Sequence, residues 1–440
     1  MVRATFEEAV TPEWVGVNIT DRNHELVVLR QIIPWEKIVR RLTRFYNKTQ
    51  GAVGKSLRMM TAILITSRFY KLSDRNIVKQ IKENRYIQYF CNVPDEKLQT
   101  FLNYSSICVF RKRIGDKGIE IIEKEIFEVL RRAGVLRGED ALIDSTVLAS
   151  DIIYPNDVQL ICKAFKKMRS FAKFHNIPLW WDDKLLREMW REFGLDRKGS
   201  RAAWLIRFNE IFIPALKIFQ AKADSLRSPG KRKNKAVKLL KLLNLLKVQT
   251  LQKLAGEIHI KDRIVSLDDP DARPIKRGKS HPDCEFGTTI QMSFNRQGFM
   301  ITAENFIGNP NDKTLYFDTL SLYINRTKGC PDTAVTDLGS RSRSNFKKTP
   351  GEVSHVFLGR STDVLGEEKR DFCRKARSAT EGFIAVAKNL RGFGKSLWHT
   401  LKGHRMWSLL CQTAYNLKKS LQLYYEEKIK EKELSKLGLA

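Results

Sequence analysis

Acidic residues are the scarce charge in this 440-residue sequence: 49 Asp and Glu stand against 79 Lys and Arg, for a net charge of +30. Basic residues spread this widely along a chain attract polyanions, and an extended nucleic-acid footprint is the partner they fit. Patterned cysteine is missing as well. The seven cysteines (91, 108, 162, 284, 330, 373 and 411) form no CxxC pair, and no CxxC–HxxxH spacing occurs. That excludes a zinc finger and a disulfide framework and suits a reducing cytoplasm. Long apolar runs are also lacking: the most apolar stretch, Met59 to Thr66, is far too short to cross a bilayer. The opening MVRATFEEAV has two acids and no apolar core, so no signal peptide is expected. No internal repeat or low-complexity linker interrupts the chain. A soluble cytoplasmic, nucleoid-associated protein with no membrane partner is the expectation.

What is present is enough apolar residue, 42%, for real cores, and enough length for two or three folded parts. Residues 1–32 read as an N-terminal arm. From 33 to 118 the chain reads as a helical bundle for DNA binding or dimerisation. Trp35, Ile38, Val39, Leu42 and Tyr46 make an amphipathic stripe, Leu57–Phe69 an apolar helix, and Ser73 a cap for Asp74–Asn84. Ser105-Ser106 opens a further helix ending in the basic FRKRIG, with Gly115 as its stop. ALIDSTVLAS (141–150) is a strand with an acid at its centre. Helical pattern returns over about 155–262, including a long basic helix at 231–256. EFGTTIQMSFN and GFMITAENFIG read as a hairpin turning through Asn295–Gly298, GNPND as a turn and cap before a helix, DTAVTDLGS and VSHVFLG as strands, and the chain from about Glu367 as helix. The fold class is therefore α/β, with a mixed sheet and flanking helices.

Two of these strands place a carboxylate within or at the end of their apolar run, Asp144 in ALIDSTVLAS and Asp337 in TAVTDLG. A carboxylate in an apolar strand is costly unless something compensates it, although an Asp at a strand end also reads as a turn or cap residue. Two such acids facing each other across neighbouring strands, with a third from a following helix, would make an all-oxygen site suited to Mg²⁺ or Mn²⁺. Two ions there activate a water or 3′-hydroxyl and stabilise the leaving oxygen. Glu381 is the candidate for the third. At about 100° per residue Arg377, Glu381 and Lys388 fall within roughly 40° of one helix face. Arg374 joins them, and Phe372, Val386 and Leu390 lie opposite, as the side expected to meet a core. Cations beside such a carboxylate would grip phosphates.

Along most of its length the sequence resembles the DDE insertion-sequence transposases with an RNase H-like catalytic fold. IPWEKIVRRL through FRKRIG resembles their helical N-terminal domain, and LIDSTVLAS with YPND the first-Asp motif. RIVSLDDPDARPIKRGKSHPDCEFG resembles the segment leading back into the sheet, and GNPNDKTL the turn before the next helix. AVTDLG resembles the second-Asp motif, RSATEGFIAVAKNLRGFGKSLWHTLKG the Y-x2-R-x3-E-x6-K helix, and AYNLKKSL the closing helix. The resemblance implies a catalytic RNase H-like domain over 119–400 and a C-terminal helix at 401–440; it implies a large insertion before the Glu helix in some members, whereas here the helical insertion falls between the first Asp strand and the next, at about 155–262. It implies Asp144, Asp337 and Glu381 as catalytic ligands of two Mg²⁺ or Mn²⁺ ions. Arg377 and Lys388 would contact double-stranded DNA at the terminal inverted repeats. It also implies strand transfer into target DNA and a homodimer in the synaptic complex. Two departures stand out: the signature tyrosine falls at Arg374, and Gly339 is followed by Ser340 rather than an aromatic residue. A catalytically inactive, transposase-derived DNA-binding protein or repressor is the alternative. The tryptophans of the insertion, Trp180, Trp181, Trp190 and Trp204, read as core in preference to a DNA clamp.

Overall fold

In the computed structural model the described residues are 2–3, 19–47, 49–196, 198–226, 231–276, 284–353, 355–358 and 367–426. Residues 4–18 of the expected arm and 427–440 of the expected last helix lie outside them. The chain divides into two compact units, residues 1–148 with 289–440, and residues 149–288.

The first unit starts with helices α1 (Glu25–Ile32), α2 (Trp35–Leu42), α3 (Leu57–Phe69), α4 (Asp74–Glu83), α5 (Arg85–Cys91) and α6 (Tyr104–Arg132). The end of the expected arm is thus helical, and Leu26, Val28, Leu29 and Ile32 of α1 are buried in the core. Every residue of α3 is buried, which explains its apolar run. Its two arginines are accommodated by ring faces and carbonyls. Arg58 lies 3.3 Å above the Trp35 ring and donates to the Phe90 carbonyl, while Arg68 lies 4.0 Å above Trp407 and donates to Leu72.

Helix α6 departs from the sequence expectation. Asn103, not Ser105, caps its start, accepting from the Ser105 amide. Gly115 does not end it: with φ 60° and ψ −162°, Gly115 kinks the helix, which then runs on to Arg132. The basic cluster ahead of Gly115 therefore sits mid-helix, and α6 spans the boundary drawn at 118. The N-terminal helices and the sheet share one core, in which Leu64, Ile77 and Ile122 join Ala141, Ile143 and Ala334.

The sheet of this unit is mixed. Strands β1 (Asp140–Ser150), β3 (Glu285–Phe294), β4 (Met300–Ile307), β5 (Thr333–Thr336) and β6 (His355–Leu358) lie in the order β4-β3-β1-β5-β6. The short β2 (Arg273–Ile275) pairs antiparallel with the first residues of β3, within the second unit. β1 and β5 are parallel, as are β5 and β6, and β3 with β4 forms an antiparallel hairpin. Gly298, at φ 81°, makes its turn. Helix α11 (Asp312–Thr327) follows, capped by Asn311. After β6 come helix α13 (Glu367–Leu390), the two-residue strand β7 (Lys395–Ser396) paired with β1, and helix α14 (Thr400–Tyr425); a six-residue helix, α12 (Arg343–Lys348), precedes β6. α14 is the buried spine of the unit. Its Asn416 and Gln412 donate to carbonyls of Met300 and Ile301, so the start of the edge strand β4 is not left unpaired.

The second unit is helical: α7 (Asp157–Phe174), α8 (Asp183–Leu195), α9 (Arg201–Asp224) and α10 (Lys231–Leu254). Phe165, Phe208, Phe212 and Phe219 fill its centre. Trp204 is buried and donates to Asp196, and Trp180 donates to the Ala215 carbonyl. Both are scaffold; Trp190 stays half exposed on Phe193.

Candidate functional site

β1 is apolar on both faces because core packs against each. Ala141 and Ile143 enter the core shared with the N-terminal helices, while Leu142 and Leu148 face a second core made with α13 and α14. Side chains alternate along a strand, so Asp144 and Thr146 project toward α13. β5 obeys the same rule: Ala334 faces the N-terminal core and Val335 faces α13. Asp337, two residues on, falls on the α13 side.

The pairing register bears on where the two acids stand relative to each other. Asp140, Ala141 and Leu142 pair with Thr333, Ala334 and Val335. Continued by two residues past the last pair, that parallel register would bring Asp144 opposite Asp337, at the usual strand spacing of about 4.8 Å. Both are partly buried. Asp144 Oδ1 accepts the Ser145 amide at 2.6 Å. Asp337 immediately follows β5 and precedes the 3₁₀ turn Leu338–Ser340, yet its side chain makes no capping bond there. The cap explanation of Asp337 therefore fails.

Helix α13 buries Cys373, Ala376, Thr380, Ile384 and Ala387 against the sheet. This corrects the sequence expectation for its core face. Val386 is 39% exposed and Leu390 49%; only Phe372, of the three apolar residues expected there, packs on the core. The buried stripe consists mostly of small residues, which let a helix approach a sheet closely and carry little weight in an apolar pattern. The Arg377–Glu381–Lys388 stripe lies about a quarter-turn around from it. Arg377 and Lys388 are partly buried and Glu381 is exposed. Lys388 Nζ comes within 3.5 Å of Thr146 Oγ1, on the strand face that carries Asp144. Phe383 locks the helix against the β3–β4 hairpin, 5.6 Å from the Phe294 ring and over Gly298, where a Cβ would come within 2.6 Å of it. Arg374 is exposed and paired with Asp371.

Two nearby acids were not singled out from sequence. Asp140, four residues before Asp144 on the same strand face, is 1% exposed and paired with Arg296. Burial holds its carboxyl above the usual aspartate range, with Arg296 opposing. It is a structural acid, and Arg296 in turn lies 4.6 Å over Phe372 of α13. Asp312, in the first turn of α11, is different. Its Oδ2 and the carboxylate of Asp337 converge beside Gly339, where an added Cβ would lie 3.0 Å from Asp312 Oδ2 and 3.1 Å from Asp337 Oδ1. GNPND supplied a turn and a cap in the sequence, but nothing linear tied its Asp to AVTDLG.

The Asp144–Asp337 pair and Glu381 are thus carried on one side of the sheet, by strands and helix. Among the described residues, however, no three His, Cys, Asp or Glu side chains are gathered closely enough to hold a metal ion. The donor set itself fits a hard divalent cation: carboxylate oxygens only, one of them uncommitted to capping, beside a glycine whose missing side chain keeps the space open.

Comparison with known proteins bears on this arrangement. Residues 16–113 match the family described as Transposase domain (DUF772). The chain is 30% identical over 164 residues to an uncharacterized protein, ORF8 in the nfe locus of Rhizobium meliloti; the match covers 37% of this chain and 79% of that protein. The chain belongs to a transposase family. In this transposase-family protein the matched segment covers α1 to α5 and α6 as far as Arg113, just short of the Gly115 kink. No solved structure matches.

Proposed function

We propose that this protein is a DDE transposase that cleaves DNA at transposon ends and transfers the strand into target DNA, on an RNase H-like mixed sheet. The observation that carries the reading is the β1–β5 register, which pairs Leu142 with Val335 and, carried two residues further, would bring Asp144 opposite Asp337 on the sheet face that packs against the Glu381 helix. Asp144 and Asp337 would hold two Mg²⁺ or Mn²⁺ ions, with Glu381 completing the set when DNA is bound. Such ions lower the pKa of an attacking water and neutralise the leaving oxygen. The chain's own residues then position the substrate. Lys388 and Arg377, a turn or two away on the same helix stripe, grip the phosphates flanking the scissile bond and hold it in line with the attacking hydroxyl. Double-stranded DNA, both the terminal inverted repeats and the target, is the partner, and a homodimer would bring two ends together.

The test is cleavage and strand transfer on DNA bearing the inverted repeats that flank its gene, with Mg²⁺ or Mn²⁺. Asp144→Asn, Asp337→Asn and Glu381→Gln should each lower cleavage by roughly 10²-fold or more while leaving end binding intact. Full activity in any one removes that residue from the assignment. Tight end binding by wild type without nicking points instead to a repressor derived from a transposase. The exposed position of Glu381 and Arg374 at the signature tyrosine's place are what favour that second reading.

A further inference from the structure

Helix α11 packs on the other face of the sheet from α13. Its Tyr316, Leu320 and Tyr323 are buried in the core shared with the N-terminal helices, whereas Ile384 and Ala387 of α13 belong to the second core. The first turn of α11 meets the 3₁₀ turn at the end of β5, and that first turn carries Asp312. Asn311 caps the helix, accepting the Lys313 amide. An acid at this position complements the helix dipole. The dipole does not require a second acid beside it. Yet Asp312 Oδ2 and Asp337 Oδ1 lie 3.0 and 3.1 Å from one point, the place a Gly339 Cβ would occupy.

The convergence is built into the fold. Asn345, 4% exposed, donates through its amide nitrogen to the Lys313 carbonyl at 2.9 Å and to the Ser340 carbonyl at 2.7 Å. One buried side chain thereby ties the residue after Asp312 to the turn that follows Asp337. Ser340 Oγ is 3.0 Å from Thr336 Oγ1, which fastens that turn to the last residue of β5. Neither backbone can draw its acid away without breaking a buried hydrogen bond. Two carboxylates sharing one space repel unless a cation lies between them. Among the described residues the Asp337 carboxylate caps nothing and joins no ion pair, and the missing Gly339 side chain leaves room beside it. Mg²⁺ is commonly held by one or two protein carboxylates, with water and substrate phosphate in its other positions. This pair meets that requirement.

We propose that Asp312 is a ligand, together with Asp337, of one of the two divalent ions, reaching it from the sheet face opposite the Glu381 helix. The inference rests on the metal assignment of the transposase reading and adds a residue to it. The Asp312–Asp337 part of the site is assembled before DNA arrives, whereas Glu381 joins only with DNA.

The experiment titrates Mn²⁺ into the full chain without DNA and reads the bound ion from the loss of the free Mn²⁺ electron-spin resonance signal. A metal-free melting curve accompanies each protein. Wild type should bind Mn²⁺, and Asp312→Asn and Asp337→Asn should each weaken that binding by about tenfold or more. Asp318→Asn, which removes an exposed acid further along α11, should leave it unchanged. Should Asp312→Asn melt lower than wild type, Gly339→Ala is the second probe: it keeps both acids, fills the space between them and should weaken Mn²⁺ binding as well. Full Mn²⁺ affinity in Asp312→Asn beside a loss in Asp337→Asn overturns the inference and leaves the transposase reading standing. Wild type that takes up Mn²⁺ only once DNA is added also overturns it, and the transposase reading then stands or falls on its cleavage assay. Binding that survives both substitutions removes Asp312 and Asp337 alike from the metal site.

Discussion

Gly339 lacks a side chain where two carboxylates converge, and Gly339→Ala tests whether that convergence matters. The new methyl would sit 3.0 Å from Asp312 Oδ2 and 3.1 and 3.4 Å from the two oxygens of Asp337. The shorter two lie inside ordinary van der Waals separation, so the carboxylates must give way by a few tenths of an ångström. Backbone strain does not enter, because Gly339 is not among the glycines with positive φ. Both acids are partly exposed, so the shift costs little stability, within about 0.5 kcal/mol. Catalysis is less tolerant: a misplacement of about 1 Å can cost roughly 10²-fold, so a shift of a few tenths should cost about tenfold. The assay is the initial rate of end cleavage against Mg²⁺ concentration, beside a melting curve for each protein. The expected outcome is a higher Mg²⁺ requirement and a tenfold lower rate at an unchanged melting temperature. Unchanged cleavage at every Mg²⁺ concentration would refute the claim that Asp337 binds its ligand beside Gly339. A rate loss matched by a fall in melting temperature would assign the effect to folding.

Three further outcomes follow from the structure. Gly115→Ala forces a side chain onto φ 60° and ψ −162°, a region that is essentially glycine's, so urea unfolding should show a loss of about 1–3 kcal/mol. Cys91 and Cys411 are fully buried with thiols pushed up to about 12, and Cys373 to about 11; at pH 8 all three should resist iodoacetamide until denaturant is added, whereas rapid native labelling would contradict their burial. Glu304 has a carboxyl raised above its ordinary 4.5, chiefly by burial, with Arg405 3.7 Å away opposing. Its native form therefore holds the proton more tightly than the unfolded chain does, so this stabilisation is complete below pH 4.5 and lost as pH rises through the raised value. Glu304→Gln should accordingly raise the melting temperature at pH 7 and leave it unchanged below pH 4.5; a fall at pH 7 would show that its ion pair outweighs its burial.

The strands were legible in sequence because β-branched and apolar runs bounded by turn residues have few other uses. ALIDSTVLAS and the hairpin about Asn295–Gly298 formed within a residue or two of expectation, whereas DTAVTDLGS is a strand only over Thr333–Thr336, with Asp337 just past its end and Leu338–Ser340 in a 3₁₀ turn. What failed was punctuation. Gly115 reads as a helix stop, since glycine after a basic run ends many helices. The chain instead uses its freedom for a single strained residue, and α6 resumes because Ile119, Ile122 and Ile126 are buried in the same core as Ile107 and Phe110. Core burial on both sides of the kink outweighs the local signal. The unit boundary moved for the same reason: one core joins the N-terminal helices to the sheet, and no linear composition change marks its edge.

The acids divide along similar lines. Asp144 and Asp337 were visible as carboxylates in apolar strands, but their juxtaposition depends on register, which arises from pairing between residues nearly two hundred positions apart. Once Asp140 is known to pair with Thr333, strand periodicity sends both acids to the α13 side, the side on which Leu142, Leu148 and Val335 are buried. Asp140 shows how little residue type decides. It lies on the same strand and the same face, only four residues earlier, yet it is sealed by Arg296 and spends its charge on holding the sheet to its hairpin. Glu381 was legible through its cationic neighbours, and its stripe survives in the structure although the helix's core face does not. The stripe runs along the edge of the buried face, with Lys388 reaching the Asp144 strand and Glu381 turned toward solvent. A helix placed this way brings its carboxylate to the two aspartates only if something supplies the charge between them. A divalent metal ion would supply that positive charge, with a DNA phosphate as a further ligand of the ion, so under the proposed function cleavage should depend cooperatively on metal and DNA.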